Sequence, residues 1–188
     1  MTSNALIVID VQEEYFSGKL PIVSSDRMES LKRIGDAMDA ATAAGAPVIV
    51  VRHSSKPGTG VFDPELPTWA LRPEIADRPH DLLIDKRLPG SFTGTNLESV
   101  LRDAGVDTVT IAGYMTNVCC DTTARQALHL GLGAELLADA VGTPDMPNPS
   151  GGVVAAADLH TAALTTLGFI GVGIVTTETW VPAPVNGG

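Results

Sequence analysis

Short apolar runs recur along this chain, and segments with helical spacing of apolar residues lie between them. The run over residues 5–10 is apolar until it ends in a charge, which is typical of a strand buried on both faces. Similar runs predict further strands at 47–51, near 81–85, and at 108–112, 134–138 and 171–175. The pattern therefore predicts six strands.

Four helices are predicted between these strands. The first begins at about Asp26, spaces its apolar side chains three or four residues apart, and ends at Gly45, a residue type that commonly closes helices. Thr95 and Glu98 have the spacing of a capping box and predict the start of the second helix. The other two are predicted from about 116 to 131 and over 154–167.

This alternation of strands and helices indicates one α/β domain over residues 1–188. We expect three αβα layers: a six-stranded, mostly parallel sheet with helices on both faces. Ligands of such sheets bind beyond the carboxyl ends of the strands. Functional residues are therefore expected where strands end.

Composition and charge narrow the classes of function. Of the 188 residues, 44% are apolar and 18% are charged, which suits a packed core rather than a disordered chain. The formal net charge of −10 argues against nucleic acid as a partner. No apolar run approaches the ~20 residues that a membrane helix needs, so no membrane partner is expected.

The two cysteines, Cys119 and Cys120, are adjacent and cannot form the disulfide framework of a secreted domain. The first strand is not preceded by the basic start and cleavage site of a signal peptide. No second Cys or His cluster completes a zinc knuckle. We therefore expect a cytoplasmic protein.

Three residues at strand ends have the chemistry of a catalytic group. Asp10 ends the first strand, Lys86 ends the third, and Cys119 follows the fourth within a helical first turn. A helix N-terminus and a nearby lysine favour the nucleophilic thiolate, and a carboxylate can take a proton and return it. Taken singly, each residue also has a structural explanation: a turn cap, a solvated charge and a small buried side chain.

Residues 113–127 read Gly-Tyr-Met-Thr-Asn-Val-Cys-Cys-Asp-Thr-Thr-Ala-Arg-Gln-Ala. This segment resembles the nucleophile motif of the isochorismatase-like cysteine hydrolases, the superfamily of nicotinamidases and N-carbamoylsarcosine amidases. Asp10-Val-Gln12 resembles the opening Asp-x-Gln of that family, and Lys86 lies where its catalytic lysine is expected. Two further matches are Asp139 and His160. The resemblance covers almost the whole chain and implies the isochorismatase-like hydrolase fold.

The resemblance also implies a mechanism for cleaving a carboxamide-type C–N bond. In it Cys119 is the nucleophile that forms a thioester, Asp10 transfers the proton, and Lys86 stabilises the charges. A cis peptide bond before Met115 is implied, with the N–H groups of Met115 and Cys119 forming an oxyanion hole. Adjacent helical side chains point about 100° apart, so Cys120 is expected to pack against the sheet.

The substrate class follows from finer resemblances. Nicotinamidases carry a metal site with an Asp-x-His motif after the second strand; this chain has Arg52, His53 and Ser54 there, so we expect no metal and no cofactor. Whether His53 takes part in the site stays open. The sequences of residues 113–127 and 88–95 are most similar to those of the streptothricin hydrolases, which open a lactam. A small amide, lactam or ureide is the expected substrate.

Two other functions stay open at this point. Some relatives hydrolyse the vinyl ether of isochorismate without a cysteine nucleophile, and a non-catalytic member would act through binding alone. The intact Asp–Lys–Cys set favours the amidase. Because the family usually forms dimers or tetramers, a homodimer or homotetramer is expected.

Aromatic residues make up only 4% of the chain, and most of them follow strands. The core is therefore expected to be aliphatic, with rings at the ligand-binding edge. The predicted pocket walls are Phe16, Trp69, Phe92 and Tyr114. Gln12 is expected to orient the pocket, although hydrogen bonding to the backbone alone would explain it equally well.

Overall fold

The computed structural model describes residues 3–185, so the domain predicted over 1–188 includes five terminal residues outside the described range. The strands are β1 (Asn4–Ile9), β2 (Val48–His53), β3 (Leu82–Lys86), β4 (Thr108–Tyr114), β5 (Gly133–Gly142), β6 (Met146–Pro147), β7 (Val153–Val154) and β8 (Gly173–Val175). The α-helices are α1 (Arg27–Ala44), α2 (Pro73–Ala76), α3 (Leu97–Asp103), α4 (Asp121–His129) and α5 (Ala156–Phe169).

Six strands form one central sheet in the order β3-β2-β1-β4-β5-β8, and every neighbouring pair is parallel. Helices α1 and α2 pack on one face of the sheet, and α3, α4 and α5 pack on the other. The predicted three-layer αβα fold with a six-stranded sheet is confirmed.

The central position of strand β1 in the sheet explains why its sequence is apolar. Because successive side chains of a strand alternate between faces, Ile7 and Ile9 belong to the cluster beneath α3 and α4. Leu6 and Val8 belong to the cluster beneath α1. All four are fully buried, so this strand has no alternation of apolar and polar residues.

Helix α1 has the boundaries that the sequence predicts. The Asp26 carboxylate accepts hydrogen bonds from the N–H groups of Met28 and Glu29, at 2.8 and 3.0 Å, and caps the helix. At the other end Gly45 adopts the left-handed conformation (φ 72°) that closes helices. Among residues 3–185, no helix combines the length and apolar character needed to cross a membrane.

The start of α3 differs from the predicted capping box. Asn96, not Thr95, is the N-terminal cap, and its side chain makes no capping hydrogen bond. The Thr95 hydroxyl donates instead to the Ser91 carbonyl at 2.6 Å and accepts from the Leu97 N–H at 3.3 Å. The Thr95 hydroxyl therefore links the preceding loop to the first turn of α3, although Thr95 is not the cap residue.

Three further differences lie near the predicted site. Residues Thr116–Cys120, predicted as the first turn of a helix, form a π-helical turn that precedes α4. Strand β5 continues to Gly142, several residues beyond its predicted end. The antiparallel pair β6–β7 has only two residues per strand, too few to produce a hydrophobic pattern.

Gly113 lets the last residues of β4 approach the end of β1. Its φ of 114° is unfavourable for residues with a side chain, and a Cβ at this position would overlap the carbonyl oxygen of Ile9. Glycine is therefore required here, next to the residue that follows β1. The close approach brings the residue after Ile9, Asp10, beside the turn that carries Cys119.

Candidate active site

The three predicted catalytic side chains lie together at the carboxyl edge of the sheet. Lys86 Nζ is 2.7 Å from Oδ2 of Asp10 and 3.3 Å from Sγ of Cys119. Strand β2 lies between the strands that carry Asp10 and Lys86, so the long lysine side chain spans the gap. The structure thus brings an acid, an ammonium and a thiol into one cluster.

The ion pair between Asp10 and Lys86 is completely buried. Burial raises the pKa of Asp10 by more than the neighbouring ammonium lowers it. Burial alone would lower the pKa of Lys86, but the charges of Asp10 and Cys119 raise it above its usual value. The ammonium therefore stays charged.

The resting state of Cys119 corrects one expectation from the sequence. Burial, and then the Asp10 charge, raise the pKa of this thiol to about 12, and Lys86 only partly offsets both. The helix start and the lysine were expected to favour the thiolate, yet burial outweighs them. The thiol is therefore the form present at neutral pH, and any reaction at this sulfur would need an acceptor for its proton.

The Asp10 carboxylate lies close enough to the Cys119 thiol to act on its pKa. The Asp10 backbone is in the left-handed region (φ 53°), which Asp tolerates better than most residues. Strained backbone of this kind is concentrated at functional sites.

The turn that carries Cys119 has the local geometry that the resemblance implied. The peptide bond between Tyr114 and Met115 is cis. The Met115 carbonyl accepts the Cys120 N–H at 3.1 Å, five residues along the chain, which makes the turn π-helical. Cys120 is fully buried in the apolar cluster with α3 and α4, while Cys119 is 6% exposed.

Comparison with protein families identifies the family of this chain. The model of the isochorismatase domain matches residues 4–179, which is nearly the whole chain. The chain belongs to the isochorismatase family.

Several relatives in this family have names that describe an activity. The chain is 34% identical to the secreted isochorismatase effector Isc1 of Verticillium dahliae, over 77% of this chain and 75% of that protein. It is 34% identical to a streptothricin hydrolase of Streptomyces noursei, over 78% of this chain but only 57% of that one. It is 30% identical to the ureidoacrylate amidohydrolase RutB of Stutzerimonas stutzeri, over 74% and 69%. The isochorismatase family therefore includes amide hydrolases.

Solved structures of isochorismatase-family proteins have the same fold. A crystal structure from Burkholderia xenovorans LB400 superposes with a TM-score of 0.93 at 38% identity, covering 96% of this chain and 87% of that one. This agreement extends over the sheet and the helices that carry the candidate site.

Gln12, a predicted pocket residue, is fully buried in this isochorismatase-family chain and binds the backbone. Its amide nitrogen donates to the carbonyls of His53 and Trp69, at 3.0 and 2.7 Å. Its amide oxygen accepts the His53 N–H at 2.9 Å. Gln12 thus holds the end of β2 beside the residues after β1, and a direct role in substrate binding stays a prediction.

The four predicted wall residues have different neighbours. Phe16 and Tyr114 contact each other edge to face, with ring centroids 6.0 Å apart. Tyr114 has no exposed surface, and its hydroxyl lies 2.8 Å from the Ser30 hydroxyl. The Tyr114 ring is buried against α1, and Phe16 packs on it. The role of both rings as pocket walls stays a prediction.

The other two rings have different neighbours. Trp69 donates from Nε1 to the Ser54 hydroxyl at 2.9 Å, and the Arg52 guanidinium lies 3.8 Å above its ring. Phe92 packs on the opposite side, against the cluster with α3 and α4. There it lines a surface depression with Gln126 and others, away from the predicted walls.

Sequence reasoning left the role of His53 open, and the structure places it against Lys86. Their side-chain nitrogens, Nδ1 and Nζ, are 3.1 Å apart. Phe62, which was not among the predicted walls, packs edge to face on the His53 ring at 5.2 Å. The available signal was the position of His53 at the end of the second strand, like Lys86 at the end of the third.

The other two residues that match the family motif, Asp139 and His160, form hydrogen bonds with neighbouring threonines. The Thr116 hydroxyl lies 3.1 Å from Nδ1 of His160. The Asp139 carboxylate accepts hydrogen bonds from the N–H and hydroxyl of Thr177, at 2.9 and 2.6 Å. Within residues 3–185, no three His, Cys, Asp or Glu side chains form a group that could hold a metal ion.

Proposed function

We propose that this protein is a cysteine hydrolase that cleaves a carboxamide-type C–N bond of a small molecule. One observation carries the proposal: a buried ammonium lies 2.7 Å from the Asp10 carboxylate and 3.3 Å from the Cys119 thiol. This set supplies a nucleophile, a proton acceptor and a fixed positive charge, the groups that acyl transfer through a thioester requires. Membership of a hydrolase family with amidohydrolase relatives supports it.

In the first step the Cys119 sulfur attacks the amide carbonyl while its proton moves to Asp10. The proton must move during the attack because the buried Cys119 thiol has a pKa of about 12. The products of the step are a tetrahedral adduct and a neutral Asp10 carboxylic acid. Lys86 stays protonated and stabilises the developing negative charge.

The oxyanion of the adduct is held, in this proposal, by the N–H groups of Met115 and Cys119. Both lie in the segment that starts at the cis peptide and leads through the π-helical turn. Backbone donors of this kind act without reorganisation, which is why each contributes strongly to acyl transfer.

The adduct then collapses with loss of the amine. Asp10 returns its proton to the departing nitrogen, the C–N bond breaks, and an acyl thioester remains on Cys119. Water then attacks the thioester, giving its proton to Asp10, and the carboxylic acid product leaves as the thiol is restored. The balance is one amide and one water converted to one acid and one amine.

For the substrate we propose a small amide, lactam or ureide, with no metal or other cofactor in the reaction. The names of two relatives support this class, a streptothricin hydrolase and a ureidoacrylate amidohydrolase. Phe16, with the Arg72 guanidinium 4.6 Å above its ring, gives one side of the proposed pocket an aromatic surface. A lactam of the streptothricin type is the first member of the class to test.

We also propose a cytoplasmic location and a homodimer or homotetramer. Both cysteines are free thiols, which suits a reducing compartment. Phe169 at the end of α5 is 92% exposed, and Ile170 and Ile174 beside it are also partly exposed, so an apolar surface is available for self-association. Cell fractionation and light scattering after gel filtration test these two proposals.

The test of the mechanism compares the two adjacent cysteines. Cys119→Ala is expected to abolish release of amine or ammonia from every responsive amide, while Cys120→Val keeps turnover within a few fold. Circular dichroism and thermal unfolding check that both variants fold. Iodoacetamide at alkaline pH, with the adduct located by mass spectrometry, is expected to label Cys119 first.

Four results would contradict the assignment. Wild-type turnover by Cys119→Ala would exclude the thioester, and turnover of isochorismate by that variant would indicate vinyl ether hydrolysis instead. Loss of turnover confined to Cys120→Val would move the nucleophile by one residue. Failure to trap a thioester with any amide of the panel would favour a non-catalytic binding protein.

A further inference from the structure

The buried ammonium of Lys86 has three hydrogen-bonding partners besides its ion pair. They are Nδ1 of His53 at 3.1 Å, the Leu88 carbonyl at 3.1 Å and Sγ of Cys119 at 3.3 Å. An ammonium group has three N–H donors, so these three partners and the Asp10 carboxylate, which lies closest at 2.7 Å, share them.

From this count we propose that His53 is a positioning residue for Lys86. Its Nδ1 accepts one N–H of the ammonium, the Leu88 carbonyl accepts the second, and the third N–H is thereby left for the Asp10 carboxylate and the sulfur of Cys119. The inference rests on the function proposed above, because it concerns how the charge that assists Cys119 is aimed.

His53 is itself held by the surrounding structure. Gln12 binds both its backbone N–H and its backbone carbonyl, at 2.9 and 3.0 Å. In the parallel register of β2 and β3, His53 is paired directly with Lys86. The edge-to-face contact with Phe62 fixes the plane of the ring. Because its backbone is held on both sides and its ring packs on Phe62, the imidazole has a defined direction for its Nδ1 lone pair.

The imidazole can accept this hydrogen bond only when it is neutral. Burial, and then the charge of Lys86, lower the pKa of His53 from 6.5 to about 4. The ring is therefore neutral throughout the physiological range. Because Nδ1 accepts from Lys86, the single ring proton must be on Nε2.

Position-matched substitutions separate this role from simple packing. His53→Phe keeps a ring against Phe62 but removes the acceptor, and we expect kcat to fall roughly 10–100-fold with little change in KM, as for other groups that orient a reacting residue. His53→Asn places an amide oxygen near the position of Nδ1 and should recover much of that loss. His53→Gln places its amide near Nε2 instead and should not.

The tautomer supplies a readout that does not need a substrate. In ¹⁵N-histidine-labelled protein, the signal that disappears in His53→Asn should show a neutral ring protonated on Nε2 between pH 6 and 8. His80 lies before the amino end of β3, and its one side-chain hydrogen bond within residues 3–185 is to the Arg78 carbonyl. His80→Phe is therefore the matched control, with turnover unchanged.

The outcomes are distinguishable. An Nδ1-protonated or charged ring at pH 6, or wild-type kcat in His53→Phe, would overturn the positioning role. Equal losses in folded His53→Phe and His53→Asn would also contradict it, because packing would then explain both. If the wild-type protein cleaves no amide while the ring has the expected tautomer, the proposed function fails and the assigned hydrogen bond stands.

Discussion

The centre of the sheet and its carboxyl edge are equally buried but are stabilised in opposite ways. Ile9, the last residue of β1, and Asp10, the next residue, both have no exposed surface. Burial of Ile9 stabilises the fold through removal of apolar surface from water. Burial of Asp10 costs free energy that only the charge of Lys86 offsets. The same degree of burial thus stabilises the fold at Ile9 and destabilises it at Asp10.

The largest expected effect comes from breaking the buried ion pair. Lys86→Met leaves the Asp10 carboxylate charged and unpaired in the interior, so we expect about 3–5 kcal/mol loss in the free energy of unfolding at pH 7, with activity abolished. Urea unfolding followed by circular dichroism measures the loss. Adding Asp10→Asn should restore most of the stability, because the remaining side chain is neutral; no recovery in the double variant would contradict the comparison.

A substitution in the apolar region is expected to destabilise for a different reason. Leu101→Ala removes a fully buried side chain of α3, and we expect about 2–4 kcal/mol loss from the cavity and the lost transfer free energy. Turnover should persist at temperatures where the variant is folded. The loss should not depend on pH, whereas the penalty of Lys86→Met should shrink as acid protonates Asp10.

The smallest expected effect is the pH dependence that His53 contributes. Its pKa is about 4 in the folded protein and 6.5 when unfolded, so the unfolded chain binds more protons between these values. Its contribution therefore lowers stability as pH falls from about 6.5 to 4, while the raised pKa of Asp10 acts in the opposite direction. Urea midpoints for wild type and His53→Asn across this range isolate the histidine; parallel curves would contradict it.

The fold was predictable because its main signals are local in sequence. Strand β1 is an unbroken apolar run, and α1 carries both its cap at Asp26 and its closing Gly45. The predicted cap of α3 was wrong by one residue, since Asn96 is the cap, and the bond from the Thr95 hydroxyl to the Ser91 carbonyl is one that no local pattern reveals. The two-residue strands β6 and β7 were missed because they are too short for any periodicity.

The candidate site was predictable in identity but not in electrostatics. Asp10, Lys86 and Cys119 follow from their positions at strand ends and from the family motif. The raised pKa of Cys119 depends on how completely the fold buries it, which its sequence neighbours do not indicate. The contact between His53 and Lys86 likewise depends on strand register, and the packing of Phe92 against the cluster with α3 and α4 depends on the path of a loop.

The buried, protonated thiol has a consequence for covalent inhibitors. Alkylating reagents such as iodoacetamide require a thiolate, and a pKa of about 12 keeps that form scarce. Aldehydes and nitriles react differently, since they can accept onto oxygen or nitrogen the proton that Asp10 takes from sulfur. Such reversible electrophiles would react through the proton transfer of the proposed mechanism. They should therefore discriminate Cys119 from the exposed, ionised thiols of other proteins.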